Sequence, residues 1–280
     1  MNSRPGARGF ASGAWLRIGI LALGLAFLYL PIVLLVVYSF NGSRLVTVWG
    51  GLSTRWYGVL AGDDKFRDAA IASAEIAVAA ASLALVLGTC AGLALSRFAR
   101  FSGRLLFGFM LLAPLVVPEV ILGLSLLLLF VVMENLFFGP VRGLVTIAIA
   151  HATFATCYVA VMVRAQLAGF DQALEEAALD LGARPIVVLF RVTLPGIAPA
   201  LVSGWLLALT LSLDDVVVAS FVSGPSGTTL PMAIYSSVRI GVTPEVNALA
   251  SLFLAFVFLL VTGAAWLMLR QERRRQAGIP

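Results

Sequence analysis

Six apolar runs, each long enough to cross a bilayer, constrain this chain more than anything else in its sequence. About 20 apolar residues are needed to span the roughly 30 Å hydrocarbon core as a helix. The runs cover residues 18–40, 69–96, 105–133, 143–163, 197–222 and 246–269. The first run, at 23 residues, exceeds the roughly 7–15 residues of a signal-peptide core, and no A-x-A site follows it. It reads as an uncleaved first span. Charged residues make up 12% of the chain, against roughly 25% in a soluble domain. That excludes a soluble enzyme, and the 61% hydrophobic content excludes a disordered chain. The expected class is an all-α polytopic membrane protein with six transmembrane helices.

The basic residues set the orientation. With the N-terminus placed in the cytoplasm, thirteen of the 19 fall on inner segments, among them Arg97, Arg100, Arg104, Arg164, Arg184 and Arg191, and six fall outside. The positive-inside rule then puts both termini, 1–17 and 270–280, in the cytoplasm. The net charge of +5 therefore belongs to lipid-facing topology signals and not to a nucleic-acid surface. Lys65 is the only Lys, and it follows Ala61-Gly62-Asp63-Asp64, so no phosphate-binding P-loop is present. Cys90 and Cys157 both lie inside spans and read as small apolar filler. No metal site and no cofactor bound by this chain are expected.

The loop from Arg164 to Gly196 is too patterned for a linker. Asp171 suits a helix N-cap, and Glu175 and Glu176 suit the positive end of a helix dipole. Leu174, Ala177, Ala178 and Leu181 recur on one face at helical spacing. Gly182 suits a left-handed C′ position, Pro185 the first turn of a second helix, and Leu194-Pro195 closes the loop. Two short surface helices are expected. One alternative is an anchor lying in the membrane interface. The polar face (Asp171, Glu175, Glu176, Asp180) is acidic, which anionic lipid repels, so a cytoplasmic protein partner fits it better.

Four acids sit inside the runs: Glu75, Glu119, Asp214 and Asp215, with His151 the one titratable imidazole. A charge in a span costs at least about 2.5–3.5 kcal/mol on insertion scales, so each needs a partner or a wet cavity. At 1.5 Å per residue all four acids lie near the midplane or in the outer half, with no basic residue at their depth. This suggests a cation route open to the outside. Asp214 and Asp215 lead that assignment. As helical neighbours they point about 100° apart, so one faces the route while the other caps the next segment or meets a partner. Glu119 follows Pro114 and Pro118, which interrupt the helix, and broken helices mark transport sites. Glu75 also fits a headgroup position, and His151 also fits a hydrogen-bonded packing role. Trp205 reads as packing. Gly224-Pro225-Ser226-Gly227 matches an intramembrane protease G-x-S-G but reads as a plain turn, since His151 comes from a distant span.

Glu176-Ala177-Ala178, Gly182 and Val192-Thr193-Leu194-Pro195 together resemble the E-A-A-x3-G-x9-[IV]-x-L-P loop of ATP-binding-cassette importer permeases, with every fixed position met. The resemblance extends along the chain. Ser53-Thr54-Arg55-Trp56-Tyr57 looks like the family's first outer-loop signature. Residues 211–225, Thr229-Leu230-Pro231-Met232 and 237–248 are similar to the spermidine and putrescine subgroup, putrescine permeases most of all. What the resemblance implies is a type I (MetI-like) permease fold in a bacterial inner membrane. The first span would be peripheral, residues 69–269 would form the permease core, and 164–196 would be the coupling loop. The implied partners are a dimer of ATPase subunits that use ATP and magnesium, a second homologous permease of a different chain, a periplasmic substrate-binding protein and membrane lipid. The implied function is non-catalytic: polyamine import with Asp214, Asp215, Glu119, Glu75 and His151 along the route. Coupling would fall to Asp171, Glu175, Glu176, Ala177, Ala178, Gly182, Leu194 and Pro195. A permease for another solute and a proton-coupled secondary transporter are the competing readings.

Overall fold

The computed structural model describes residues 7–45, 48–98, 101–137, 139, 141–225, 227–241, 243–255, 258, 259, 262 and 266. Ser226 and the flanking segments 1–6 and 267–280, with the basic residues read there as topology signals, lie outside them. Among the described residues the regular structure is helical, apart from one bridge between Asn41 and Leu52. The helices are α1 (Ala7–Ser39), α2 (Arg55–Ala61), α3 (Asp64–Arg97), α4 (Arg104–Val116), α5 (Glu119–Phe137), α6 (Leu144–Ala168), α7 (Ala173–Asp180), α8 (Pro185–Val188), α9 (Leu194–Gly196), α10 (Ala198–Asp214), α11 (Val217–Val222), α12 (Leu230–Ile240) and α13 (Pro244–Ala255). A π-turn, Leu189–Thr193, joins α8 to α9. The chain divides into two compact units, one holding residues up to Asp64 and from Ser237 onward, the other Lys65–Ser236.

Four of these helices contain spans of membrane-crossing length and hydropathy: α1, α3, α5 and α6. The pair 185–196 and 198–214, which bends by 71°, reaches that length and hydropathy only when its two helices are taken together. Two of the six apolar runs are therefore not single helices. The run 105–133 breaks into α4 and α5, because Pro118 has no N–H to donate and holds Val117 in extended backbone (ψ 131°). Pro114 is absorbed within α4. The run 197–222 breaks at Asp215 and Val216, between α10 and α11. The last run is described as helix through Ala255, and most of its remainder lies outside the described residues.

In the first unit every described side chain from Leu16 to Leu34 is exposed, as a lipid-facing span requires. Its end is held by polar groups that satisfy each other. The Asn41 side chain accepts the Gly50 N–H (2.7 Å) and donates to the Val48 carbonyl (2.8 Å). The buried Trp56 indole donates to the Asn41 carbonyl (2.6 Å). The Tyr57 hydroxyl meets Ser39 (2.7 Å) and Ser251 (2.8 Å). The W-Y pair of the outer-loop signature thus ties that loop together.

The second unit packs by small residues. Ala77, Ala80, Ala81, Ala84, Gly88 and Gly92 form a buried stripe on α3. A Cβ on Gly88 would stand 2.6 Å from Val159 Cβ, and one on Gly92 would stand 2.9 Å from Val163 Cγ1, both on α6. Where α5 meets α11, a Cβ on Gly123 would stand 2.6 Å from the Phe221 ring. Lipid tails are as apolar as Leu, so helix association in a bilayer relies on close van der Waals contact of this kind. Cys90 and Cys157 are both free, and Cys157 donates to the Phe154 carbonyl within its own helix.

Gly88→Leu is expected to destabilise the protein by about 1–3 kcal/mol or more through overpacking. Gly108→Leu, at a site with open space around its Cα, is expected to be neutral. Thermal unfolding of the two detergent-solubilised variants against the parent checks this. Equal behaviour of the two would refute the close-packing assignment.

Candidate functional site

The break between α4 and α5 and the break between α10 and α11 open onto one cavity of about 350 Å³. Glu119, Asp214 and Asp215 supply its acidic lining, Phe154 and Tyr158 of α6 its aromatic wall, and Pro114, Leu122 and Leu211 much of its apolar remainder. No Lys or Arg is among the lining residues. Glu119 stands in the first turn of α5, where the helix dipole favours a carboxylate. Its side chain is exposed, as is that of Asp214, the last residue of α10.

The adjacent acids Asp214 and Asp215 do different things. Asp215 is buried. Its carboxylate accepts the N–H groups of Ala219 (2.7 Å) and Val218 (3.3 Å), so it caps α11. It also meets His151 Nε2 at 3.0 Å, while His151 Nδ1 meets the Ser212 hydroxyl at 2.6 Å. A carboxylate only accepts, so with Asp215 ionised Nε2 carries the ring proton, and a neutral ring takes the Ser212 hydroxyl at Nδ1. His151 is fully buried between these two partners. Asp214 is left as the member of the pair turned to open space.

Glu75 is exposed on α3 and is not among the residues lining the cavity. Trp205 donates to Ser82 Oγ (3.3 Å) from α10, a packing contact. The aromatic wall was missed in the sequence: Phe154 and Tyr158 lie four residues apart on α6, so they share a face, but nothing in the run distinguishes that face from any other.

The loop after α6 forms the expected punctuated helices. The Asp171 carboxylate accepts the Ala173 N–H (3.0 Å) at the start of α7. At the other end Gly182 takes φ +85°, its N–H reaches Leu179 and that of Ala183 reaches Ala178, a Schellman closure. Pro185 starts α8. Leu194 and Pro195 lie in α9, on the approach to α10. The apolar face is not buried against the chain: α7 has no buried residue, and Leu181 is 89% exposed. Glu176 is exposed, Ala177 is exposed and Ala178 is half-buried. Glu175 turns the other way, into the protein, where Oε1 accepts Arg97 Nη2 (2.9 Å) and the Thr193 hydroxyl (2.6 Å).

Residues 84–277 match the family described as binding-protein-dependent transport system inner membrane component. The chain is 55% identical over 276 residues to the putrescine transport system permease protein PotI of Escherichia coli (strain K12), covering 98% of this chain and 96% of that protein. It is 40% identical over 266 residues to the spermidine/putrescine transport system permease protein PotC of the same strain, covering 95% and 98%. A chain of a bacterial ABC transporter involved in the import of the acidic polysaccharide alginate has the same fold (TM-score 0.72, 18% identity, 95% of this chain and 99% of that one).

The split roles of the acidic doublet predict divergent variants. Asp215→Ala removes the two amide contacts that cap α11 and the contact to His151 and is expected to cost about 2 kcal/mol of stability. Asp214→Ala is expected to change it by less than about 0.5 kcal/mol. Thermal unfolding of the purified variants measures both, and equal losses would overturn the division.

Proposed function

Because the chain belongs to the family of binding-protein-dependent transport system inner membrane components, we propose that it is the permease subunit of an ATP-driven importer of polyamines, putrescine above all. The observation that carries this reading is the cavity at the meeting of two helix breaks, with carboxylates, aromatic rings and no cation in its lining. A protonated diamine is two ammonium groups separated by methylenes. Glu119 and Asp214 would take the ammonium groups, and Phe154, Tyr158 and Leu211 would take the methylenes, with ring faces attracting charge as well. Asp215 and His151 would hold the broken segment in place without touching cargo. The chain's similarity to PotI and PotC supports the same substrate class.

The energy would come from a separate chain, since the sequence has no P-loop. A pair of ATPase subunits would dock on α7 and α8, a second homologous permease would complete the route, and a periplasmic binding protein would deliver the cargo. The termini would lie in the cytoplasm and the acids toward the outer half of the membrane. ATP binding would open the cavity outward and hydrolysis would return it inward, a change between two access states that cargo and nucleotide both bias.

Uptake of labelled putrescine, spermidine and a neutral amino acid is compared in liposomes holding the reconstituted complex. Polyamine uptake exceeding amino-acid uptake is expected. Glu119→Gln with Asp214→Asn is expected to lower polyamine uptake at least tenfold, since a hydrogen bond to a charged group is worth about 1.5–3 kcal/mol. Unchanged polyamine uptake in that variant would refute the cation site.

A further inference from the structure

Glu175 does not behave as a docking residue. It leaves the acidic face of α7 and enters a node of three side chains drawn from three elements. Arg97 is the last residue of α3, Glu175 lies in the first turn of α7, and Thr193 ends the π-turn that leads into α9 and α10. One oxygen, Glu175 Oε1, accepts both the Arg97 guanidinium and the Thr193 hydroxyl. The ion pair is largely covered, its side chains 20% and 17% exposed, and Thr193 is buried. Each charge also suits its helix end: a cation at the C-terminus of α3 and an anion at the N-terminus of α7.

The node matters because α7 is lightly held: it touches the neighbouring α8 and π-turn, but none of its own residues is buried. The two elements at the other side of the node lead to the cavity. The α3 stripe packs at Gly88 and Gly92 on α6, which carries Phe154 and Tyr158. The π-turn runs on into α9, and at Ile197 the chain turns by 71° into α10, which ends at Asp214 about 25 Å further on. Single π-turns inside helices occur frequently at functional sites.

We propose that Arg97, Glu175 and Thr193 are positioning residues that transmit movement of α7 to both walls of the cavity. Arg97 carries it to α3 and α6, and Thr193 carries it to α10. This rests on the reading of α7 as the surface on which the ATPase docks. A push applied to the exposed face of α7 passes through a short, charge-assisted contact because no broad apolar contact shares the load. Breaking the node leaves the docking face intact and disconnects it from the spans. The signature is therefore ATP hydrolysis without import, and not loss of the ATPase subunit.

The test uses the reconstituted complex with binding protein and labelled putrescine. ATPase content, hydrolysis rate, import per ATP and thermal unfolding are measured together. For Glu175→Gln and for Arg97→Gln the expected result is normal ATPase content, hydrolysis within twofold of the parent, and import per ATP at least tenfold lower. Thr193→Val, which keeps the ion pair but removes one buried hydrogen bond to the Glu175 carboxylate, is expected to lower import per ATP about threefold with a modest loss of thermal stability. Glu176→Ala, on the outward face, is expected to lose ATPase from the complex instead. Import per ATP within twofold of the parent in both Glu175→Gln and Thr193→Val overturns the proposal, as does loss of the ATPase from Glu175→Gln. A parent complex that holds no ATPase would sink the docking reading itself, a different result from either.

Discussion

A backbone inside hydrocarbon finds no water, so each interruption of a membrane helix must be repaired by the protein itself. The breaks at Pro118 and Asp215 are repaired differently. Pro118 removes its own donor, which leaves fewer groups to satisfy. At Asp215 the following segment begins with free N–H groups, and the Asp215 carboxylate accepts two of them. The cost of burying that charge is offset by His151 and by the start of α11, both of which favour an anion. The cavity exists because the chain stops being helical at these two places and remains satisfied there.

The repair depends in turn on close packing. The six-residue α11 is held by packing: Gly123 lets Phe221 lie directly against α5, and Val218, Ala219 and Val222 are buried in the same cluster as Ile147 and Ala150. The α3 and α6 pair is fixed in the same way by Gly88 and Gly92. With α6 held from both sides, the ring positions of Phe154 and Tyr158 are set by helices that approach too closely to slide.

How much of this is legible in sequence follows from how local each feature is. The punctuation of the surface loop rests on single residues with their own backbone preferences, so Asp171, Gly182 and Pro185 announce their positions. The break at Pro118 is announced by the proline. The break at Asp215 is not, because no Gly or Pro marks it, and it needs a carboxylate, two amides and an imidazole from another helix. The inward turn of Glu175 is equally hidden. Its partners are 78 residues upstream and 18 downstream, and the periodicity of α7 alone places it beside Glu176 on an acidic face. The apolar positions of α7 recur with the right spacing, but spacing cannot say whether the stripe meets this chain or is left open, and Leu181 is left open.

The two acidic doublets divide their members alike, by different means. Within α7 the side chains of Glu175 and Glu176 diverge by about 100°, whereas α10 ends at Asp214 and Asp215 stands in extended backbone (φ −69°, ψ 128°), which turns its carboxylate away. In Asp214-Asp215 and in Glu175-Glu176 one member is turned inward and bonded, and the other is outward and exposed. The inward member carries the cost of an internal charge and receives partners for it: His151 and two amides for Asp215, Arg97 and Thr193 for Glu175. The outward member is then held by a neighbour whose backbone is already fixed, so its carboxylate is presented at a defined place. A doublet thus supplies both a ligand and its mount from two consecutive residues. It follows that Asp→Asn or Glu→Gln, which keeps the side-chain shape and removes the charge, acts differently at the two positions: outward it removes what is offered to a ligand or partner, and inward it weakens the bonds that fix the mount.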